Sequence, residues 1–314
     1  MVVVNSTQSH RSDTAASPAE LERVAIAVAE LAADHVRSRR PELFAAFGSG
    51  PAPTADGRES PAAVGTKSTP TDPVTLADTE SEALIRAHLH ELRPGDDVLG
   101  EERGGSVEVP DGVRWVVDPI DGTVNYLYGI PAYAVSVAAQ IGGESVAGAV
   151  VDVAAGITYS AARGHGAHAR PGGQGAVPQR LGCAAVTDVG LALVASGFAY
   201  DQGRRRAQGE LVGRLLPHIR DIRRIGAAAL DLCMVASGRV DAHFEHGLNP
   251  WDWAAGGLIA AEAGAVVRLP TADSRSADGV PTIAVAPGIA QQFLTLIEDL
   301  GGLDAIPEGQ HDCL

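Results

Sequence analysis

An apolar run at 113–117 leads into the sequence Asp-Pro-Ile-Asp-Gly-Thr at 118–123, and this junction constrains the fold more than any other feature of the chain. The run has the length of a buried strand. Proline fixes its own φ and favours an extended conformation at the residue before it, so Asp118 is expected to end the strand. Asp121 follows three residues later. Two carboxylates and the Ile120 carbonyl can then face one small volume.

Such a pair of carboxylates suggests a cation site. Neighbouring carboxylates repel each other unless a positive charge neutralises them. An all-oxygen ligand set suits Mg²⁺ or Mn²⁺ rather than Zn²⁺. The N–H groups of Gly122 and Thr123 could hold a phosphate at the start of a helix. The alternative interpretation is an acidic surface turn without a ligand.

Three further carboxylate segments accompany this junction. Glu101 and Glu102 follow a second apolar run, Asp252 opens a helix of small residues after Trp251, and Asp78 lies near the start of another predicted helix. A solvated charged pair and two ordinary helix caps are the alternative interpretations. None of these segments identifies a site by itself.

The distribution of apolar runs predicts a layered α/β sandwich. Runs at 98–99, 113–117, 134–139 and 146–153, separated by turn residues, predict a largely antiparallel sheet. Later strand-like runs alternate with helical stretches, which predicts α/β layering. These runs lie at 191–195, 265–269 and 282–286, and the predicted helices cover roughly 203–216, 227–237, 252–263 and 289–300.

The same patterns divide the chain into a disordered tail and two lobes. We expect disorder over 1–16, an α+β lobe over 17–185 that carries most metal ligands, and an α/β lobe over 186–314 that carries substrate-recognition residues and Asp252. Within the first lobe, a helix is predicted from Ser17 to a stop at Pro41. A loop is predicted at 48–66 and a second helix at 77–92.

Composition narrows the function classes. The net charge of −15 disfavours a general nucleic-acid binder, which needs a broad basic surface. No window approaches the apolar length of a transmembrane helix, and the N-terminus does not resemble a signal peptide. The three cysteines are far apart and form no CxxC pair, so neither a disulfide framework nor a zinc ribbon is expected. A cytoplasmic protein is predicted.

Together, the motifs resemble the inositol monophosphatase family of Mg²⁺-dependent, lithium-sensitive phosphatases. The family signature D-P-[I/L]-D-G-T-x-N-F matches the chain from Asp118 to Asn125, with Tyr126 in place of the usual Phe. The second signature, W-D-x-A-A-G, matches 251–256 completely. The similarity extends over about 17–300 and looks closest to bacterial inositol-1-monophosphatases. It implies a fold like that of the family and of fructose-1,6-bisphosphatase.

The resemblance implies two or three Mg²⁺ ions, with Mn²⁺ as a substitute. Glu101, Asp118 and the Ile120 carbonyl would hold the first ion, and Asp118, Asp121 and Asp252 the second. Glu101 would also reach a third ion through water. The first ion would activate the attacking water, and the second would neutralise the leaving group.

The resemblance also assigns catalytic roles to two further side chains. Thr123, hydrogen-bonded to Asp78, would orient the attacking water, and Glu101 would accept its proton. Lys67 would belong to a segment that closes over the site. The alternative for Lys67 is an exposed surface lysine.

The implied substrate site combines the metal cluster with residues of the second lobe. The phosphate would meet the segment from Ile120 to Thr123, including Asp121 and Gly122. The polyol would meet a second set, namely Arg223, Gly226, Ala227, Ala228, Glu245 and Asp252. The family usually has Ser or Thr where this chain has Ala227, so one hydroxyl contact is lost.

We therefore predict a phosphatase that hydrolyses myo-inositol 1-phosphate and related polyol phosphates, functions in inositol metabolism and forms a homodimer. The nearest alternative is a related enzyme of the same fold acting on fructose 1,6-bisphosphate, histidinol phosphate or a nucleotide 3′-phosphate. A binding role in RNA metabolism or transcription is a further alternative, which the arginines between 204 and 224 could serve. The acidic net charge argues against it.

Overall fold

The computed structural model describes residues 16–44, 64–67, 73–106, 108–172 and 175–309. Within these residues the helices are α1 (Pro18–Phe44), α2 (Leu76–Leu92), α3 (Thr123–Tyr128), α4 (Gln202–Leu215), α5 (Ala228–Ala236), α6 (Pro250–Glu262) and α7 (Ala290–Asp299). The strands before residue 185 are β1 (Val64–Thr66), β2 (Pro73–Thr75), β3 (Asp97–Gly100), β4 (Val113–Asp121), β5 (Ala134–Ile141), β6 (Glu144–Asp152), β7 (Ile157–Ala162), β8 (Ala167–Pro171) and β9 (Gln179–Arg180). The later strands are β10 (Leu193–Ala195), β11 (Asp221–Arg223), β12 (Ala242–His246), β13 (Val266–Arg268) and β14 (Pro281–Val285).

The larger sheet has seven strands in the order β3-β4-β5-β6-β7-β8-β9. Only β3 and β4 run parallel, and the other neighbours are antiparallel. This arrangement confirms the largely antiparallel sheet expected from the short apolar runs. The parallel β3–β4 pair places the ends of both strands, with their acidic residues, at one edge of the sheet.

The smaller sheet has five strands in the order β11-β10-β12-β14-β13. Strand β10 runs parallel to both β11 and β12, and β14 pairs antiparallel with β12 and β13. The carboxyl ends of β10 and β12 therefore point to the same edge, where this sheet contributes to the site.

Helices and sheets alternate in five layers, which confirms the layered α/β sandwich. Helices α1 and α2 cover one face of the large sheet, and α5 and α6 fill the space between the two sheets. Helices α4 and α7 cover the outer face of the small sheet. Since α5 and α6 are apolar on both sides, they bury surface against both sheets at once.

Helix α1 does not stop at Pro41 as predicted but continues to Phe44. The proline lies in the last turn, where losing one backbone hydrogen bond matters less than in a helix interior. Tertiary contacts hold this turn in place. The Phe44 ring packs edge-on against Tyr126 with centroids 5.7 Å apart, and Arg40 Nε donates to the Tyr126 carbonyl at 2.9 Å.

Two other predictions, the tail and the loop, concern residues that the structure describes only in part. The predicted tail at 1–16 lies outside the described residues except for Ala16. Of the loop predicted at 48–66, residues 64–66 form β1 instead, paired with β2, and 48–63 lie outside the described residues.

We propose that the lobes divide near residue 185, because each of the two larger sheets lies on one side of that position. Among the described helices, none is both long and apolar enough to cross a membrane.

Candidate active site

Three aspartates converge between the two sheets. Carboxylate oxygens of Asp118, Asp121 and Asp252 all lie within 4.8 Å of one another. The first two come from the end of β4, and the third comes from the first turn of α6. The two motifs, more than 120 positions apart in the sequence, thus contribute to one acidic cluster.

The end of β4 is shaped by its own backbone. Asp118 Oδ1 accepts a hydrogen bond from the Ile120 N–H at 3.0 Å, and the pairing of β4 with β5 shifts register between Asp118 and Asp121. Gly122 follows with a φ of 91°, a conformation that favours glycine. This turn directs both carboxylates into the same space and starts α3 immediately after them.

Two backbone donors fix the remaining aspartates. Asp121 Oδ2 accepts from the Ala229 N–H at 2.7 Å, which ties β4 to the first turn of α5. Asp252 Oδ2 accepts from the Asn249 N–H at 2.7 Å, as part of a capping box at the start of α6. Asp252 is therefore a cap, as its alternative interpretation held, and also a member of the cluster.

The Thr123 hydroxyl lies between two buried oxygen atoms. It is 3.0 Å from Asp78 Oδ1 and 3.0 Å from the Ile120 carbonyl oxygen. Asp78 Oδ2 in turn accepts from the Thr75 N–H at 2.8 Å in the capping box of α2. Asp78 thus links the cap of α2 to the hydroxyl of Thr123.

Lys67 reaches into the acidic region rather than standing apart on the surface. Its Nζ is 2.7 Å from Glu101 Oε1 and 2.6 Å from Glu102 Oε1. Burial disfavours the ammonium, but the charge of Glu101 and the two hydrogen bonds outweigh it and raise the pKa of Lys67. The structure places Lys67 beside Glu101 and Glu102 in the acidic region.

Burial and mutual repulsion disfavour the charged forms of these carboxylates. Burial, followed by the charges of Glu101 and Asp121, raises the pKa of Asp118 well above its ordinary value. Burial also raises the pKa of Asp121 to about 7, and the pKa of Asp252 is raised strongly by burial and the charge of Asp121. A cluster of this kind favours a bound cation.

The cluster forms the floor of a cavity of about 590 Å³ between the two lobes. Its walls include the segment Gly226–Ala228 from the start of α5 and Glu245 from β12. Glu245 lies directly against Gly197, since a Cβ built on that glycine would fall 2.2 Å from the Glu245 carboxylate oxygens. Burial raises the pKa of Glu245 to about 7, although the charge of Arg224 opposes the shift.

Arg223 does not lie where the sequence prediction placed it. Its guanidinium pairs with Asp221 at 2.7 Å on the exposed β11 strand, and it is not part of the cavity wall. Arg224, the next residue, lines the cavity instead. Adjacent residues of a strand point to opposite faces, so an error of one position reverses the side-chain direction.

The site region also includes two residues that the sequence did not indicate, Gly197 in the loop before α4 and Glu82 on α2. Gly197 is one, because its lack of a side chain admits the Glu245 carboxylate. Glu82 on α2 is another: it is fully buried and accepts from the Glu102 N–H at 2.7 Å, which holds the 101–103 turn. In the sequence, the only signal for Glu82 was an acidic residue on the apolar face of a predicted amphipathic helix.

Three consecutive arginines at 204–206 are typical of a solvated helix face, but Arg204 is not exposed. The Arg204 side chain is fully buried, and its Nε donates to the Ile306 carbonyl at 2.7 Å. It therefore anchors the C-terminal segment from within the protein.

The two cysteines that the structure describes show no sign of a reactive site. Cys233 is buried and Cys183 is half-buried, as expected for small apolar residues; Cys313 lies outside the described residues.

Tyr126, the position that departs from the family signature, has a structural role. Its ring packs edge-on against Phe44 and Tyr133. Its hydroxyl donates to the Val36 carbonyl at 3.1 Å. The extra oxygen of tyrosine is thereby satisfied within the core between α1 and the large sheet.

Comparison with known proteins agrees with this architecture. The model of the inositol monophosphatase family matches residues 17–299. The inositol-1-monophosphatase SuhB of Mycobacterium tuberculosis is 52% identical over 295 residues, which cover 93% of this chain and 98% of the relative. A protein of Pasteurella multocida named Nus factor SuhB is 34% identical, over 72% of this chain and 83% of its own length.

A solved structure of Mycobacterium tuberculosis SuhB superimposes with a TM-score of 0.74 and 46% identity, covering 92% of this chain and 99% of that one. Both signatures, at 118–125 and at 251–256, lie within the matched residues 17–299. In the fold they meet in one acidic cluster that could bind metal ions. The chain therefore belongs to the inositol monophosphatase family, as an enzyme of the phosphatase class.

Proposed function

We propose that this enzyme is a Mg²⁺-dependent phosphomonoesterase that hydrolyses myo-inositol 1-phosphate and related polyol phosphates to the alcohol and phosphate. The observation that carries the proposal is the convergence of Asp118, Asp121 and Asp252 on the floor of the cavity. The Ile120 carbonyl and Glu101 supply further oxygen donors beside them.

The donor set fits Mg²⁺. All candidate ligands are carboxylate or carbonyl oxygens, which hard divalent cations prefer. We assign Glu101, Asp118 and the Ile120 carbonyl to one ion, and Asp118, Asp121 and Asp252 to another. Bound Mg²⁺ would lower the pKa of the attacking water and offset negative charge on the phosphate and leaving group.

The protein's own contribution is to position water and a proton acceptor. Asp78 and the Ile120 carbonyl hold the Thr123 hydroxyl, and Thr123 then orients the attacking water. Glu101 accepts a proton from that water as its oxygen bonds to phosphorus. The bond between phosphorus and the polyol oxygen breaks in the same displacement, and the leaving alkoxide takes a proton from a solvent water to become the alcohol. Water attacks directly, without a phospho-enzyme.

Residues in the walls of the cavity would recognise the phosphate and the polyol. Backbone N–H groups at Gly122 and Thr123 lie at the start of α3, where they suit an anion. The short segment Gly226–Ala228 offers backbone contacts to the sugar ring. Glu245 can accept from neighbouring hydroxyl groups, which favours a polyol over an apolar alcohol. Ala227 supplies no hydroxyl of its own.

Lys67 belongs to a segment that approaches the site from the first lobe. Its ion pairs with Glu101 and Glu102 support a role in closing the site around substrate. The side chain bears a positive charge that a phosphate can share. The cytoplasmic location, the homodimer, lithium sensitivity and a place in inositol metabolism remain predictions that accompany this function.

Substrate preference is tested by comparing four phosphate esters. The purified enzyme with Mg²⁺ is given myo-inositol 1-phosphate, fructose 1,6-bisphosphate, histidinol phosphate and a nucleotide 3′-phosphate, and kcat/KM is measured for each. We expect the highest value for inositol 1-phosphate. The Glu245→Gln variant should lose more kcat/KM on that substrate than on a nucleotide 3′-phosphate. Fast turnover of another ester with little turnover of inositol phosphate contradicts the proposed substrate.

The relatives named Nus factor favour a second candidate, a binding role involving RNA. Arg204 is buried and cannot contribute to an RNA surface, so the relevant test changes Arg205 and Arg206 to alanine. Filter binding to RNA at physiological salt should show weak binding that these substitutions do not change. Tight binding that they abolish would support the RNA role instead.

A further inference from the structure

A second cluster of metal-ligand side chains lies beside the cavity and apart from the three aspartates. It consists of Asp231 on α5 with His243 and Glu245 on β12. One ligand atom from each residue lies within 4.8 Å of the others. His243 and Glu245 are two positions apart on a strand, so their side chains share the face that α5 covers.

The cluster contains buried polar atoms without partners. His243 is fully buried, and neither of its ring nitrogens has a hydrogen-bond partner among the described residues. Asp231 is 1% exposed, and its Oδ1 also has no partner among those residues. The closest approach between them, from Nδ1 to Oδ2, is 3.7 Å, which is longer than a hydrogen bond.

At position 243, in a central strand, an apolar residue would give the folded protein a lower free energy than an unpartnered histidine. Each unpartnered buried polar group costs about 1–3 kcal/mol. Such groups in a folded protein call for an explanation such as a bound ion or water. His243 Nδ1 lies on the side of Asp231, so one ligand bound between them would satisfy that nitrogen and the carboxylate together.

The charge balance favours a cation as that ligand. Burial raises the pKa of Asp231 well above its ordinary value and lowers the pKa of His243 to about 3. A neutral imidazole nitrogen carries a lone pair that can bind a metal. Arg224 supplies the nearby positive charge that acts on both carboxylates, but it adds no bond to the histidine.

We propose that Asp231, His243 and Glu245 form a Zn²⁺ site distinct from the Mg²⁺ site of the three aspartates. An imidazole nitrogen with two carboxylate oxygens is a typical zinc ligand set, whereas magnesium prefers oxygen alone. Asp231 and Glu245 line the cavity, which gives the ion an entry path, while His243 lies behind them. Three protein ligands leave a fourth position open towards the cavity.

The site has a consequence that rests on the proposed function. Glu245 cannot hold Zn²⁺ and accept from polyol hydroxyls with the same lone pairs. Zinc should therefore weaken substrate binding and raise KM with little change in kcat. The binding experiment below does not depend on this consequence, so its failure is distinguishable from failure of the phosphatase assignment.

Metal binding is measured on the full-length chain carrying Asp118→Asn, which weakens the oxygen-only site. The protein is equilibrated with Zn²⁺, passed through a desalting column and assayed for retained metal, and Co²⁺ is used as a coloured substitute. We expect about one retained Zn²⁺ per chain and a visible Co²⁺ absorption band typical of nitrogen and oxygen ligands in a four-coordinate site.

Two variants and one control interpret the result. His243→Phe removes the imidazole, and Asp231→Asn changes a ligand without changing its shape; each should lose the retained ion and the cobalt band. His90→Gln removes an exposed imidazole on α2 and should retain both. If His243→Phe does not fold, Asp231→Asn still decides. No retained Zn²⁺ in the parent, or equal retention in the folded variants, overturns the proposal.

Discussion

At the scale of single residues, the Thr123 hydroxyl beside the acidic cluster has a position fixed by two neighbouring oxygen atoms. It is 3.0 Å from both Asp78 Oδ1 and the Ile120 carbonyl. Thr123→Val keeps the side-chain shape but removes the oxygen, and kcat should fall by about 100-fold because the attacking water loses its orientation. Thr123→Ser keeps the hydroxyl and should retain most of the activity. Steady-state kinetics on inositol 1-phosphate compares the two, and equal kcat values would remove Thr123 from the mechanism.

A second prediction at this scale concerns lithium. Li⁺ should compete with Mg²⁺ at the position assigned to Asp121 and Asp252, because a single positive charge neutralises their carboxylates less well and supports the leaving group poorly. Phosphate release should fall as LiCl is added, and raising Mg²⁺ should restore it in part. Matched NaCl serves as the ionic-strength control. Identical inhibition by both salts would contradict this assignment.

Some residues of the site could be predicted from the sequence, and others could not. Asp118 and Asp121 could be predicted because a strand, a proline and a glycine fix their geometry within a few positions. Arg224 could not be distinguished from Arg223, since side-chain direction depends on the register of β11 in a sheet. Gly197 gave no signal at all, because its role depends on a carboxylate 48 positions away.

At the scale of elements, the contact between α5 and α6 determines where Asp252 and the Ala229 N–H lie. A Cβ added at Gly256 would fall 2.9 Å from Leu232 Cβ. Gly256→Ala should therefore lower the free energy of unfolding by about 1–3 kcal/mol through overpacking. Helix propensity alone would raise it by about 1 kcal/mol, so packing and propensity predict opposite signs.

The matched control is Gly209→Ala in α4, where an added Cβ meets no atom within 4 Å. This substitution should stabilise the protein by about 0.4–1 kcal/mol. Urea denaturation of both variants measures the difference. Stabilisation of both variants by the same amount would show that the α5–α6 contact adapts without strain.

Most helices could be predicted because their apolar spacing extends over several turns, and α2, α5 and α7 lie within two residues of expectation. Helix α1 was placed too short because the prediction weighted Pro41 above contacts distant in sequence. Strands β7 and β8 were not predicted, since their alternating polar residues carry a weak signal. Strand β12 was not among the predicted strands, and its central place in the sheet follows from pairing that no local pattern specifies.

At the scale of the whole molecule, Arg204 joins α4 to the C-terminal segment. Its guanidinium donates to the Ile306 and Ala277 carbonyls at 2.7 and 3.1 Å. Arg204→Ala should lower the free energy of unfolding by about 3 kcal/mol because several buried acceptors lose their donors. Arg206→Ala, on the exposed side of the same helix, should change it by less than about 0.5 kcal/mol. Equal effects in urea denaturation would contradict the buried anchor.

The layered architecture and the family could be predicted at this scale, since two long motifs in order are specific. The buried state of Arg204 could not, because a run of three arginines normally marks a solvated surface. The cluster of Asp231, His243 and Glu245 also escaped prediction. Asp231 is on α5, whereas His243 and Glu245 are on β12, and only the packing of α5 on β12 brings the three together.

The central claim is that the carboxylate cluster makes this chain a metal-dependent phosphatase of polyol phosphates. The most direct test measures phosphate release from myo-inositol 1-phosphate with Mg²⁺, with and without EDTA, for the parent and for Asp118→Asn. Release that requires Mg²⁺, stops with EDTA and is absent in the folded variant is the predicted result. Release that survives EDTA or the substitution, or no release from folded parent protein, would contradict the claim.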